Sequence, residues 1–145
     1  NPSQKWSVLN DPVMGGESYA TVSIEDGLGI FDGTVVDVPF LQAPGFITMR
    51  SEEEDIGYPD VSSCDTLRLV LQNSEDTYKG YRVSFGNVSV PGNRYARGYK
   101  ADFTVPSNGG GAVDIPFHDF TARWDDATGN AIVSCAENQE YCPDV

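Results

Sequence analysis

The stretch TLRLVLQN, residues 66–73, decides the fold class. Leu67, Leu69 and Leu71 fall on one side of an extended chain, and Arg68, Val70 and Gln72 fall on the other. Side chains alternate across a strand, so this period of two predicts one buried face and one wet face. The period recurs downstream. Tyr81, Val83 and Phe85 alternate with Arg82 and Ser84. Tyr99, Ala101, Phe103 and Val105 alternate with Lys100, Asp102 and Thr104, and Val113, Ile115 and Phe117 alternate with Asp114 and Pro116. Less regular strand-like runs precede them at residues 6–9, 20–25, 30–38 and 46–50. Turn chemistry separates the runs: Asp26-Gly27, Pro44-Gly45, Pro91-Gly92-Asn93 and Asn108-Gly109-Gly110-Gly111. Helical spacing is confined to one turn near residues 61–64. About eight strands at short spacing predict an all-β chain, a two-sheet antiparallel β-sandwich or jelly roll. The inward set is Leu67, Leu69, Leu71, Tyr81, Val83, Phe85, Phe103, Val113, Ile115 and Phe117. The sandwich domain is expected over residues 1–124. Residues 125–145 read as an irregular polar C-terminal extension, with Ile132-Val133 its one strand-like piece.

At 145 residues the chain is long enough for one domain with its own core. Hydrophobic residues at 39% and aromatics at 11% place it among globular rather than disordered chains. No apolar run approaches the roughly 18 residues that a membrane span needs. The opening lacks Met and any signal-like pattern, so the chain reads as mature or trimmed. Lys+Arg 9 against Asp+Glu 22 gives a net charge of -13. Such a field repels phosphate backbones and argues against a nucleic-acid partner. It serves solubility, or it steers the chain toward a basic protein surface. The densest acidic patch, Glu52-Glu53-Glu54-Asp55, is expected at a loop tip and is the candidate steering group. The island GNRYARG, residues 92–98, stands out as basic and aromatic. Tyr95 and Arg97 there are candidate contact residues; the alternative is a solvated hairpin with Tyr95 packed inward.

Little in the sequence points to catalysis. A catalytic triad needs a histidine, and the sole candidate, His118, follows Ile115-Pro116-Phe117 as a surface or capping residue would. Carboxylates are abundant, but no spacing singles out a glycosidase pair. Cys135 and Cys142 share the stretch SCAENQEYCPD, and Cys64 lies far away. A Cys135–Cys142 bridge in an oxidising compartment and three reduced thiols are both open. Zinc is disfavoured by the single histidine and by the want of a second cysteine pair. Asp125-Asp126 and Asp11 are the calcium candidates, though no EF-hand spacing is present and no metal site is assigned. Gly109-Gly110-Gly111 lacks the lysine and helix of a phosphate-binding loop. Asn87-Val88-Ser89 matches the glycosylation sequon, a triplet common by chance. Neither a catalytic centre nor a bound cofactor is expected.

The segment WSVLNDPVMGGES, residues 6–18, stops a strand-like run at Asn10-Asp11-Pro12 and then doubles a glycine. Catalysis, ligand binding and turn-making would each explain it. Its Trp6, Asn10, Asp11, Val13, Met14, Gly15, Gly16 and Ser18 resemble the opening signature of the complex I intermediate-associated protein 30 family. Further stretches are similar to that family in order: FDGTV, GFITMR, YKGYRVSF, YKADFTVPSN and VDIPFHDF, so that the resemblance covers about residues 5–124. It implies a galactose-binding-like jelly roll and a role in assembling large membrane redox complexes, respiratory complex I or a photosystem. For the motif it implies a structural turn. Pro12 would end the strand, Gly15 and Gly16 would permit positive φ, Asp11 or Ser18 would satisfy turn amides, and Met14 would plug one end. A direct ligand role for the motif stays open. The family's last apolar strand is not evident before Val145, which would leave an open sheet edge. Pro12 and the final CAENQEYCPDV resemble a branch found in algae.

The expectation is therefore a non-catalytic assembly factor or accessory subunit. Its partners would be subunits of a membrane-embedded redox complex with a basic aqueous surface. It would sit peripherally on the thylakoid membrane of a plastid, or on the inner membrane from the mitochondrial matrix. A carbohydrate-binding module is the alternative, with Tyr19, Tyr58, Tyr78 and Tyr95 as possible platforms; a glycosidase is a third.

Overall fold

The computed structural model describes residues 5–11, 15–52, 60–75, 77–94, 97–107 and 109–145. Strands dominate these residues and every pairing is antiparallel, as an all-β sandwich requires. The strands are β1 (Trp6–Asn10), β2 (Tyr19–Glu25), β3 (Leu28–Thr34), β4 (Ile47–Ser51), β5 (Thr66–Leu71), β6 (Arg82–Ser89), β7 (Arg97–Asp102) and β8 (Gly111–Pro116). The chain forms two compact units, residues 1–58 and residues 59–145. Among the described residues no helix is long and apolar enough to cross a membrane.

In the first unit β1 pairs with β4 and β2 pairs with β3. The β2–β3 hairpin closes on Asp26 and Gly27, both at positive φ (51° and 80°). Two positive φ values in a two-residue loop match the right-handed twist of the strands it joins. The run expected over 30–38 stops four residues early as a strand. Beyond the last ladder pair, Tyr19↔Thr34, the Val36 amide bonds to the Ser18 hydroxyl (2.9 Å) instead of to a neighbouring strand. Val38 then bridges Ala43 across a tight turn. The helical turn expected near residues 61–64 is a single hydrogen-bonded turn, Cys64 N–H to Val61 O at 2.7 Å.

In the second unit β5 pairs with β8 and β6 with β7. The register sets Leu67 opposite Ile115 and Leu69 opposite Val113, while Val83 faces Ala101 and Phe85 faces Tyr99. Ala101, Ile115 and Phe120 are buried together, with Leu67, Leu69, Val83, Phe85, Tyr99, Phe103, Val113 and Phe117 packed against them. Both strand pairs therefore turn their alternate side chains into one core, as a period of two demands. Leu71 and Tyr81, also expected inward, are half-buried, and Tyr81 stacks on Phe103 with ring centroids 5.7 Å apart. Phe120, just after the 3-10 turn Phe117–Asp119, is the one large side chain wholly out of solvent among the described residues. The polar stretch after it is tied down. Lys100 and Thr121 exchange both main-chain hydrogen bonds at 3.0 Å, on the side of β7 away from β6. Trp124 bridges Ala131, so the strand-like piece expected at Ile132-Val133 is instead a bend. Cys135 and Cys142 are joined by a disulfide.

Candidate functional site

Asp11 follows the last residue of β1, and its N–H donates to Phe46 O (3.1 Å), extending the β1–β4 pairing by one bond. That bond carries its side chain inward. Asp11 is 5% exposed, and both its carboxylate oxygens are buried without a hydrogen-bond partner among the described residues. Ser18, 7% exposed, immediately precedes β2; its Oγ accepts from Val36 N–H (2.9 Å) and donates to Val36 O (3.3 Å). Two glycines make room for this arrangement. A Cβ on Gly45 would stand 2.1 Å from Val36 O, 2.4 Å from Ser18 Oγ and 2.6 Å from Asp11 Oδ2. A Cβ on Gly16 would stand 2.5 Å from both the main-chain O and Oδ2 of Asp11. Asp11, Gly16, Ser18, Val36 and Gly45 thus gather oxygen atoms at one end of the first unit.

This cluster corrects one part of the motif reading. Gly15 does take a positive φ (79°), but Gly16 does not; its glycine is required for space against Asp11. Ser18 serves Val36, eighteen residues on, rather than its own turn. Asn10 is half-buried with its Oδ1 unpartnered among the described residues, and Trp6 is exposed opposite Ser51. Met14 lies outside the described residues. Val36 and Gly45 were missed in the sequence: nothing in Pro44-Gly45 distinguishes a turn glycine from one pressed against a carboxylate.

The second unit carries a different feature. Lys100 is half-buried with its Nζ 3.4 Å above the centre of the Trp124 ring, and Trp124 donates its indole N–H to Gly98 O (3.1 Å). Burial lowers the Lys100 ammonium from its ordinary range to about 8, helped by the Arg82 charge and opposed by Asp102 and Asp126. The Trp124 face favours the charged form and works against that shift. Lys100, Asp102, Asp119, Thr121 and Trp124 line a cavity of about 260 Å³. A cleft of about 400 Å³ lies between Tyr78, Lys79 and residues 104–107.

Of the expected contact residues, Glu52 is exposed and its N–H donates to Lys5 O (3.0 Å). Arg97 is exposed at the start of β7, paired with Ser89. Glu53, Glu54, Asp55 and Tyr95 lie outside the described residues. His118 is exposed, with Nε2 3.5 Å from Asp119 Oδ1. Asp125 Oδ1 accepts from the Thr128 amide (2.7 Å) and hydroxyl (2.9 Å) and from the Ala127 amide (3.0 Å), which hold its carboxyl below the usual range. Asp126 Oδ2 accepts from Arg94 N–H (2.8 Å). Both carboxylates thus serve the fold. Among the described residues no three His, Cys, Asp or Glu side chains gather as metal ligands do.

The family model for complex I intermediate-associated protein 30 (CIA30) matches residues 1–132. No curated protein and no solved structure matches the chain.

Proposed function

Because the chain belongs to the complex I intermediate-associated protein 30 family, we propose that it is a non-catalytic protein-binding domain, an assembly factor or accessory subunit of a large membrane redox complex. The family match over residues 1–132 carries this reading. The family's description names complex I, which supports respiratory complex I as the first candidate and, with it, the mitochondrial inner membrane. A photosystem at the thylakoid membrane is the second candidate. The net charge of -13 favours a basic docking surface reached from the aqueous side. The Cys135–Cys142 bond favours the side of the membrane that faces an oxidising compartment.

The test is cross-linking mass spectrometry on native membranes, with a native gel run in parallel. Cross-links confined to subunits of one redox complex, and co-migration with it, are expected. A chain that migrates alone and cross-links to no membrane complex overturns the proposal. A carbohydrate-binding module is the second reading, favoured by the cleft beside Tyr78, a residue 41% exposed. Glycan binding lost in Tyr78→Ala would support it.

A further inference from the structure

We propose that the oxygen cluster around Asp11 is a cation site and that its ligand is calcium. The first observation is the orphaned carboxylate. Asp11 is 5% exposed and neither carboxylate oxygen has a hydrogen-bond partner among the described residues. A carboxylate taken out of water without a donor or counter-charge is strongly unfavourable, and a cation bound beside it would offset that cost. The second observation is what surrounds it. Val36 O, Ser18 Oγ and Asp11 Oδ2 all lie within 2.6 Å of a single point, the Cβ position that Gly45 lacks. The main-chain O of Asp11 joins them beside Gly16. These are acceptors. The one hydroxyl among them directs its hydrogen at Val36 O and receives the Val36 N–H, which leaves a lone pair free.

Among the described residues the set is all oxygen, which selects a hard cation over zinc or copper. Neutral carbonyl and hydroxyl oxygens beside a single carboxylate suit calcium, which takes six to eight oxygens in flexible geometry; magnesium demands near-ideal octahedral geometry. One carboxylate sets a weak affinity, about 10⁻⁴–10⁻³ M. Water completes whatever coordination the chain does not supply. The sequence offered Asp125-Asp126 and Asp11 as calcium candidates without assigning a site, and the first two are engaged in their own turn and in holding Arg94.

The experiment is a thermal melt of the full chain, stripped with EDTA and then titrated with calcium or magnesium chloride. Calcium at ten times its dissociation constant is expected to raise Tm by about 4 °C. Magnesium at equal concentration is expected to do less. Asp11→Asn removes the charge with little change of shape and is expected to abolish the calcium response. Equilibrium dialysis of the wild-type chain keeps the test decisive if that variant does not fold: one calcium per chain supports the site. No bound calcium at a few millimolar, or a calcium response undiminished in Asp11→Asn, overturns it.

Discussion

At the scale of single residues, the end of β1 shows why a turn motif is worth more than its turn. Gly45 is needed because any side chain would collide with Val36 O and Ser18 Oγ, at 2.1 and 2.4 Å. Gly45→Ala should therefore destabilise the chain by about 3 kcal/mol, read as a lower midpoint in urea. A midpoint unchanged within error would mean that the Ser18–Val36 contact gives way. Lys100 makes a prediction of opposite sense. Its folded-state pKa, about 8, lies below the unfolded value of 10.5. Between these values the unfolded state binds more protons, so stability rises with pH across that window. Below about 8 the chain carries the full cost of a desolvated ammonium. Lys100→Met keeps the stem over Trp124 and removes the titration. The variant should lose the gain in Tm that the wild type shows between pH 8 and 10. A wild-type Tm that falls over that range instead would assign the Trp124 contact the larger effect.

At the scale of elements, alternation explains β5 to β8 and leaves the tail unexplained. Leu67 and Leu69 meet Ile115 and Val113 across the β5–β8 ladder. Val70, on the wet face as its position dictates, is 81% exposed although it is apolar. Position in the pleat therefore outweighs side-chain polarity here. The tail has no such period and is held by other means. Thr121 bonds to Lys100 along β7, Ala122 N–H donates to Tyr141 O (3.0 Å), and a disulfide spans seven positions. Arg82 reaches from β6 to Thr128 O (2.8 Å) and Asn130 Oδ1 (2.6 Å), clamping the intervening turn. Closing so short a loop should contribute about 2–3 kcal/mol through the unfolded state. The Cys135→Ser/Cys142→Ser double variant should unfold at correspondingly lower urea, with its far-ultraviolet spectrum preserved. Equal stability of the oxidised and reduced wild type would show that the hydrogen bonds alone hold the tail.

At the scale of the whole molecule, the proposed docking divides into charge, which would govern approach, and apolar contact, which would govern residence. Exposed ion pairs contribute roughly 0–1 kcal/mol each, so acidic residues cannot by themselves hold the chain on a partner. They can raise its association rate, and salt should lower that rate. Glu52/Glu53/Glu54→Gln is expected to slow association with partner membranes at low ionic strength and to leave dissociation nearly unchanged. Equal on-rates for variant and wild type at low salt would make the acidic patch a solvated loop. Binding indifferent to salt would place the docking energy in buried apolar contact.

What the sequence determined alone is the local part of this protein. Period-two alternation at Leu67, Leu69, Val113 and Ile115 and the turn residues between runs were enough for the strands, because both signals are set by neighbours in the chain. The ordered motifs from Trp6 to Phe120 were enough for the family. The tertiary structure alone decided which distant atoms meet. Ser18 finds Val36, Gly45 presses on Asp11, Lys100 lies over Trp124, and Cys135 closes on Cys142. No periodicity encodes such meetings. A carboxylate's partners depend on strand register and on glycines far along the chain, so Asp11 reads in sequence as one more turn aspartate and in the fold as a buried carboxylate with no donor among the described residues.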